Sequence, residues 1–154
     1  MANDWKLPWE GGCRCGAVRF RVTAPPLLTG ACHCAGCQRM TAGAYSLSVG
    51  LDTSAFEVTK GAPVLGGLRA EPKHHHCPDC KSWLFTRPSD APTFVNLRAT
   101  MLDDHAWFRP FVEFHRREGF PWAATGARHS FETVPEAGAF GALIREFAAE
   151  GVRP

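Results

Sequence analysis

The sequence predicts a mainly β domain of short strands closed by one C-terminal helix. Twelve prolines and fifteen glycines punctuate the chain about evenly, which breaks it into short segments and leaves no linker or low-complexity tract. The segments between breaks alternate or are rich in β-branched and aromatic residues, the pattern of strands. Only the tail has a helical period. At 154 residues the chain suits a single domain spanning its whole length, large enough to bury roughly 68–70% of its unfolded surface.

In chain order, Val18, Phe20 and Val22 alternate with arginines and read as a strand. Tyr45 to Val49, Phe56 to Thr59, Ser82 to Thr86, Thr93 to Arg98 and Phe111 to His115 read the same way. Phe140, Leu143, Ile144, Phe147 and Ala148 then fall at i, i+3, i+4, i+7 and i+8, and Pro135 suits an early helical turn. A helix over about 136–150, packed on the sheet by that stripe, is the expectation.

Composition narrows the function. Lys and Arg number 17 against 15 Asp and Glu, and the net charge of +2 predicts neither a nucleic-acid nor a membrane partner. Met1 to Gly12 has no basic n-region and no apolar h-region, and no stretch approaches the ~20 apolar residues of a bilayer span. A cytoplasmic protein with small-molecule chemistry is expected. In a reducing compartment an odd count of seven cysteines fits a disulfide framework poorly and metal binding well.

Every cysteine sits in a cluster: Cys13-Arg14-Cys15, Cys32-His33-Cys34-Ala35-Gly36-Cys37 and Cys77-Pro78-Asp79-Cys80. Two intervening residues form a tight knuckle that aims both thiolates at one ion ~2.3 Å away, and an all-thiolate set is characteristic of zinc. Buried apolar cysteines would scatter along strands instead, and the familiar ferredoxin spacings of iron–sulfur proteins are absent. Spacing allows two partitions. Cys34 and Cys37 can join Cys77 and Cys80, leaving Cys13, Cys15 and Cys32; or Cys13 and Cys15 can join Cys77 and Cys80, leaving Cys32, Cys34 and Cys37. Either way one ion is saturated and the other keeps a position for water or substrate.

Three thiolates leave an open zinc site with a formal charge of −1 and a weakened Lewis acid, which disfavours strong water activation. A soft sulfur ligand suits the vacancy, and zinc would deprotonate an incoming thiol whose free pKa is about 8.5. Other zinc chemistries fail on sequence: no His or Cys has Glu two positions on, as base deaminases require, and no His-Glu-x-x-His is present.

Gly11-Gly12-Cys13-Arg14-Cys15-Gly16-Ala17-Val18-Arg19-Phe20, the Cys32-His33-Cys34-x-x-Cys37 trio followed by Gln38-Arg39, the later Cys77-x-x-Cys80, and Pro121-Trp122 resemble the glutathione-dependent formaldehyde-activating enzyme family. The resemblance runs from Gly11 to Trp122. It implies a zinc-stapled fold, expected here as short antiparallel strands in two sheets, and it favours the second partition. Cys13, Cys15, Cys77 and Cys80 would hold structural zinc, and Cys32, Cys34 and Cys37 a second zinc at the catalytic site, labile or absent in the isolated protein. The implied activity is that of a carbon–sulfur lyase, an S-(hydroxymethyl)glutathione synthase that condenses glutathione with formaldehyde and reverses the step. The implied partner is glutathione or a related small thiol adduct. A non-catalytic zinc module for ligand or protein binding is the alternative. Family members usually carry an aromatic before the last CxxC and glycine after it, whereas this chain has His76 and Lys81.

Adjacent residues of an extended segment point opposite ways, so His33 is expected to face away from the ion. His74, His75 and His76 read as a solvated loop. Arg14, Arg19, Arg21 and Arg39 could fork onto the carboxylates of glutathione, although solvated roles are favoured for each. Trp83, Trp107 and Trp122 read as core or rim aromatics.

Overall fold

The computed structural model describes residues 2–66 and 72–154. Among them are strands β1 (Trp9–Gly12), β2 (Arg19–Val22), β3 (Leu28–Cys32), β4 (Ser46–Asp52), β5 (Phe56–Lys60), β6 (Val64–Gly66), β7 (Lys73–His76), β8 (Trp83–Arg87), β9 (Phe94–Arg98), β10 (Val112–Phe114) and β11 (His129–Ser130). Two helices, α1 (Ala35–Thr41) and α2 (Phe140–Glu150), complete the regular structure with several 3₁₀ turns. The strands form two sheets, a small one ordered β1-β2-β5 and a large one ordered β11-β10-β3-β4-β9-β8-β7-β6. Pairing is antiparallel except around β10, which runs parallel to both β3 and β11. The fold is mainly β, as the segment pattern implies, and no helix among the described residues is long and apolar enough to cross a membrane.

Period-2 alternation gives the large sheet two different faces. Val49 and Leu51 of β4 and Val95 and Leu97 of β9 are fully buried and join Phe20, Val22 and Phe56 of the small sheet in one apolar core. Phe56 bridges the layers, its ring 5.5 Å from Phe20 and 4.9 Å from Phe85. The intervening residues Ser46, Ser48, Gly50, Asn96 and Arg98 line a cavity on the opposite face.

Three strands that are hard to read in the sequence have physical explanations. β1 ends in two glycines that suggest a turn, yet a Cβ on Gly11 would stand 2.4 Å from the Met101 carbonyl and 2.5 Å from the Phe20 ring, so glycine permits that approach. β3 reads Leu-Thr-Gly-Ala-Cys, too small to look like a core strand, because β10 and β4 close on it from both sides and a Cβ on Gly30 would meet Val112 at 3.2 Å. The histidine run is not a solvated loop: it is β7, paired with β6 and β8. His75 stacks on Phe85 at 4.6 Å, while His74 meets the Trp83 ring edge-on and its Nδ1 lies 2.9 Å from Thr86 Oγ1.

Helix α2 begins later than the periodicity predicts, since residues 137–139 form a 3₁₀ turn before the regular helix starts at Phe140. Its buried seam is also narrower. Leu143 and Phe147 are buried, Phe140 and Ile144 are half-buried, and Ala148 is exposed. Phe147 is clamped between Phe111 at 5.4 Å and Trp5 at 5.8 Å. Phe147→Ala should therefore lower stability by about 3–5 kcal/mol, read as a lower denaturant midpoint. Ala148→Glu, on the same predicted stripe, should stay within about 0.5 kcal/mol of the parent.

Candidate metal centres and the adjoining cavity

The β1–β2 turn carries Cys13 and Cys15, and the β7–β8 turn carries Cys77 and Cys80. All four sulfurs lie within 4.8 Å of one another. Cys13 Sγ is 3.6 Å from Cys15 Sγ, and Cys15 Sγ is 3.8 Å from Cys77 Sγ. Four thiolates bound ~2.3 Å from a tetrahedral ion stand roughly 3.8 Å apart. The spacing fits a metal such as zinc and is far beyond the ~2.05 Å of a disulfide. The Val18 amide donates to Cys13 Sγ at 3.3 Å, and Ser82 Oγ lies 3.1 Å from Cys80 Sγ; hydrogen bonding from Ser82 holds the Cys80 thiol down to about 5.

Lys81 occupies left-handed backbone, φ 61°, a conformation that favours glycine. The knuckle closes regardless: Lys81 N donates to Cys77 O at 3.1 Å, and the Lys81 ammonium reaches the Pro78 carbonyl.

Cys32 ends β3, Cys34 is the N-cap of α1, and Cys37 lies in that helix's first turn. Their sulfurs also fall within 4.8 Å of one another, so the seven cysteines group in space as four and three. Cys34 is extended (φ −61°, ψ 152°) and its sulfur accepts the Cys37 amide at 3.4 Å. Gln38 Nε2 donates to His33 O at 2.6 Å and to Glu118 O at 3.0 Å, tying the α1 turn to the segment after β10.

The thiols share protons unequally. Hydrogen bonding with Cys32, aided by the positive field of Arg98, holds Cys37 down to about 5. The same bond, together with burial, pushes Cys32 well up. Such proton competition marks a donor set that a soft dication would satisfy.

Arg98 is a site residue that sequence reasoning missed. It is 5% exposed, sits 4.1 Å over the Trp83 ring, donates from Nη2 to Asn96 O at 3.1 Å, and has a buried Nε with no hydrogen-bond partner among the described residues. Burial lowers its pKa to about 10, opposed by the negative charge at Cys37 and Cys32, so it is a cation at neutral pH. Sheet register delivers it: Arg98 pairs with Ser48, which pairs with Gly30, while Ser46 pairs with Cys32. Its sequence signal was the phase of Asn96 and Arg98 against the apolar Val95 and Leu97. Arg98, Cys32, Cys37 and Ser46 together line one end of a cavity of about 1180 Å³.

The arginines nearer the cysteines in sequence serve elsewhere. Arg19 pairs with Asp103 and Arg21 with Glu10, whereas Arg14 and Arg39 are exposed. Trp83 is buried at 7% exposure, Trp107 packs 5.0 Å from Trp9, and Trp122 projects at 76% exposure, stacked on Phe120.

His33 turns away from the trio, as alternation predicts, and is fully buried. Arg116 Nη1, which can only donate, lies 3.2 Å from Nδ1, so Nε2 carries the proton it offers to Glu113 Oε2 at 3.0 Å. Thr125 donates to the same oxygen from its amide at 3.2 Å and its hydroxyl at 2.9 Å.

A model of the family described as glutathione-dependent formaldehyde-activating enzyme matches residues 8–118. The chain belongs to this family. The match covers both cysteine sets and Arg98 and ends before Trp122. A Halomonas elongata protein named after the same family is 32% identical over 102 residues, an alignment spanning 61% of this chain and 65% of that protein. A crystal structure of a Rhodobacter sphaeroides protein shares the fold at 22% identity with a TM-score of 0.50, covering 61% of this chain and 87% of the other.

Burial raises the Glu113 carboxyl, but the Thr125 and His33 hydrogen bonds outweigh it and hold the group below its ordinary value. A depressed folded pKa adds stability that is present above the unfolded value and lost as pH falls through the folded one. Glu113→Gln should therefore cost about 1–3 kcal/mol at neutral pH and flatten the acid limb of the stability–pH curve, measured by urea unfolding across that range.

Proposed function

We propose that this chain is a zinc-dependent carbon–sulfur lyase and synthase that joins glutathione to formaldehyde as S-hydroxymethylglutathione and runs the reverse reaction. Cys13, Cys15, Cys77 and Cys80 would hold a structural zinc, and Cys32, Cys34 and Cys37 a second zinc at the catalytic site. Seven thiols suit a reducing cytoplasm. The observation that carries the reading is the three-cysteine set opening onto a cavity whose same end holds the buried Arg98 cation.

When bound, the second zinc supplies a positive centre that favours the thiolate over the thiol. The chain's own groups do the rest. Cys32, Cys34 and Cys37 with a dication sum to −1, and Arg98 brings the buried set to neutrality. As the glutathione sulfur adds to the aldehyde carbon, its electron pair forms the C–S bond and the carbonyl π pair moves to oxygen, which takes a proton. Arg98 lines the cavity beside Cys32 and Cys37, where its positive charge would stabilise the negative charge that develops on that oxygen. Cleavage retraces the same positions.

Two measurements test this. Metal content by mass spectrometry of the zinc-saturated protein should show two zinc ions. Cys34→Ser should lose the second ion and the enzyme-dependent part of formaldehyde exchange, followed by ¹³C NMR, while staying folded. Cys80→Ser should unfold, because a structural zinc supplies ~10–16 kcal/mol against a typical domain stability of ~5–15. Equal unfolding of both variants would instead support the binding-module alternative. Separately, Arg98→Met should reduce kcat by roughly 10²–10³-fold, with Arg98→Lys recovering part of the loss; an unchanged kcat would remove Arg98 from the reaction.

A further inference from the structure

The cavity is larger and more apolar than formaldehyde requires. Formaldehyde offers one carbon and one oxygen, whereas the space beside Cys32 and Cys37 measures about 1180 Å³, at or above the ~300–1,000 Å³ typical of pockets that enclose drug-sized ligands. Much of its remaining wall is apolar, with Leu28, Phe94, Val134, Phe140 and Ile144, while Ser89 and Asp90 of the β8–β9 loop stand at its rim. Glutathione does not match that end. Its two carboxylates need cationic partners if they leave water, and among the described cavity-lining residues Arg98 is the sole Lys or Arg, placed at the cysteine end.

Construction of the sheet points the same way. Between Leu28 and the cysteines, the positions of β3 and β4 that face this space are small, with Gly30, Ser48 and Gly50, while Val49 and Leu51 fill the core behind. A Cβ on Gly50 would stand 2.8 Å from the Phe94 ring, so glycine there permits Phe94 to approach the strand this closely. Helix α2 adds Phe140 and Ile144 from the other side, both only half-buried. These apolar groups converge without filling the gap between them, which is the form of a pocket for an apolar substituent.

Resting on the proposed thiol–aldehyde reaction, we infer that the site also takes aldehydes larger than formaldehyde, those whose alkyl or aryl chain fills the Leu28–Phe94–Ile144 end of the cavity while the carbonyl lies between the cysteines and Arg98. The thiol adds across the carbonyl as before: the C–S bond forms, the π pair goes to oxygen, and the proton released by the thiol ends there. The product is a hydroxyalkyl thioether adduct, and no oxidant or reductant is needed.

Isothermal titration of the zinc-loaded protein tests this with two ligand series. One is S-alkylglutathiones from methyl to octyl, stable mimics of the adduct; the other is straight-chain aldehydes from butanal to octanal without a thiol. Each methylene buried in the cavity should tighten binding about threefold to fourfold, and Ile144→Asn should weaken that gain per methylene. A climb in both series supports both the apolar cavity and the glutathione reading. A climb among the aldehydes, with S-alkylglutathiones binding no better than they do, keeps the apolar pocket and removes glutathione. Glutathione derivatives that bind with no dependence on chain length overturn the inference and leave the glutathione reading standing. No dependence on length in either series also overturns it.

Discussion

Four sulfurs from turns some sixty residues apart meet where the two sheets meet. Cys13 and Cys15 belong to the β1–β2 hairpin of the small sheet, and Cys77 and Cys80 to the β7–β8 hairpin of the large one. Their convergence ties the sheets at one end, and the apolar contact through Phe20, Phe56 and Phe85 ties them across the middle. A soft dication would stabilise such a convergence, since four thiolates at less than 4.8 Å repel one another without one. The left-handed Lys81, a conformation that disfavours any side chain, sits in that knuckle where its amide closes the turn onto the Cys77 carbonyl.

With the sheets held together, the large sheet can treat its two faces differently. One face is filled by the small sheet. The other is left open along a line of small and polar residues, Gly30, Ser46, Ser48 and Asn96, over which α2 lays Phe140 and Ile144. The cavity is thus the consequence of side chains too small to fill the space under the helix, and its polar end coincides with the three-cysteine turn because Cys32 terminates β3 on that face.

Charge at that end is balanced locally. Arg98 is buried in the sheet, shielded by the Trp83 face and held by one carbonyl of its own strand. An isolated buried cation is costly, and nearby thiolates lower that cost. Behind the trio, His33, Glu113, Arg116 and Thr125 form a hydrogen-bonded chain that fixes the Cys32–Cys34 segment from its rear, joining β3 to β10 where their pairing is parallel.

By itself the sequence determined the clustering of every cysteine at soft-metal ligand spacing, the four-plus-three count, most of the strands and the outward turn of His33, because ligand spacing and side-chain alternation are local properties of an extended chain. Tertiary structure grouped the sulfurs in space, turned the histidine run into a paired strand, and trimmed α2 to a seam of Leu143 and Phe147. It also moved the relevant arginine from the cysteine motifs to Arg98. That residue stands about sixty positions from Cys37 and reaches it only through the β3–β4–β9 register. A cavity is equally invisible in one dimension: Gly30, Ser48 and Gly50 look like gaps in strands until hydrogen-bonded neighbours align them on one face, where their missing volume adds up to space.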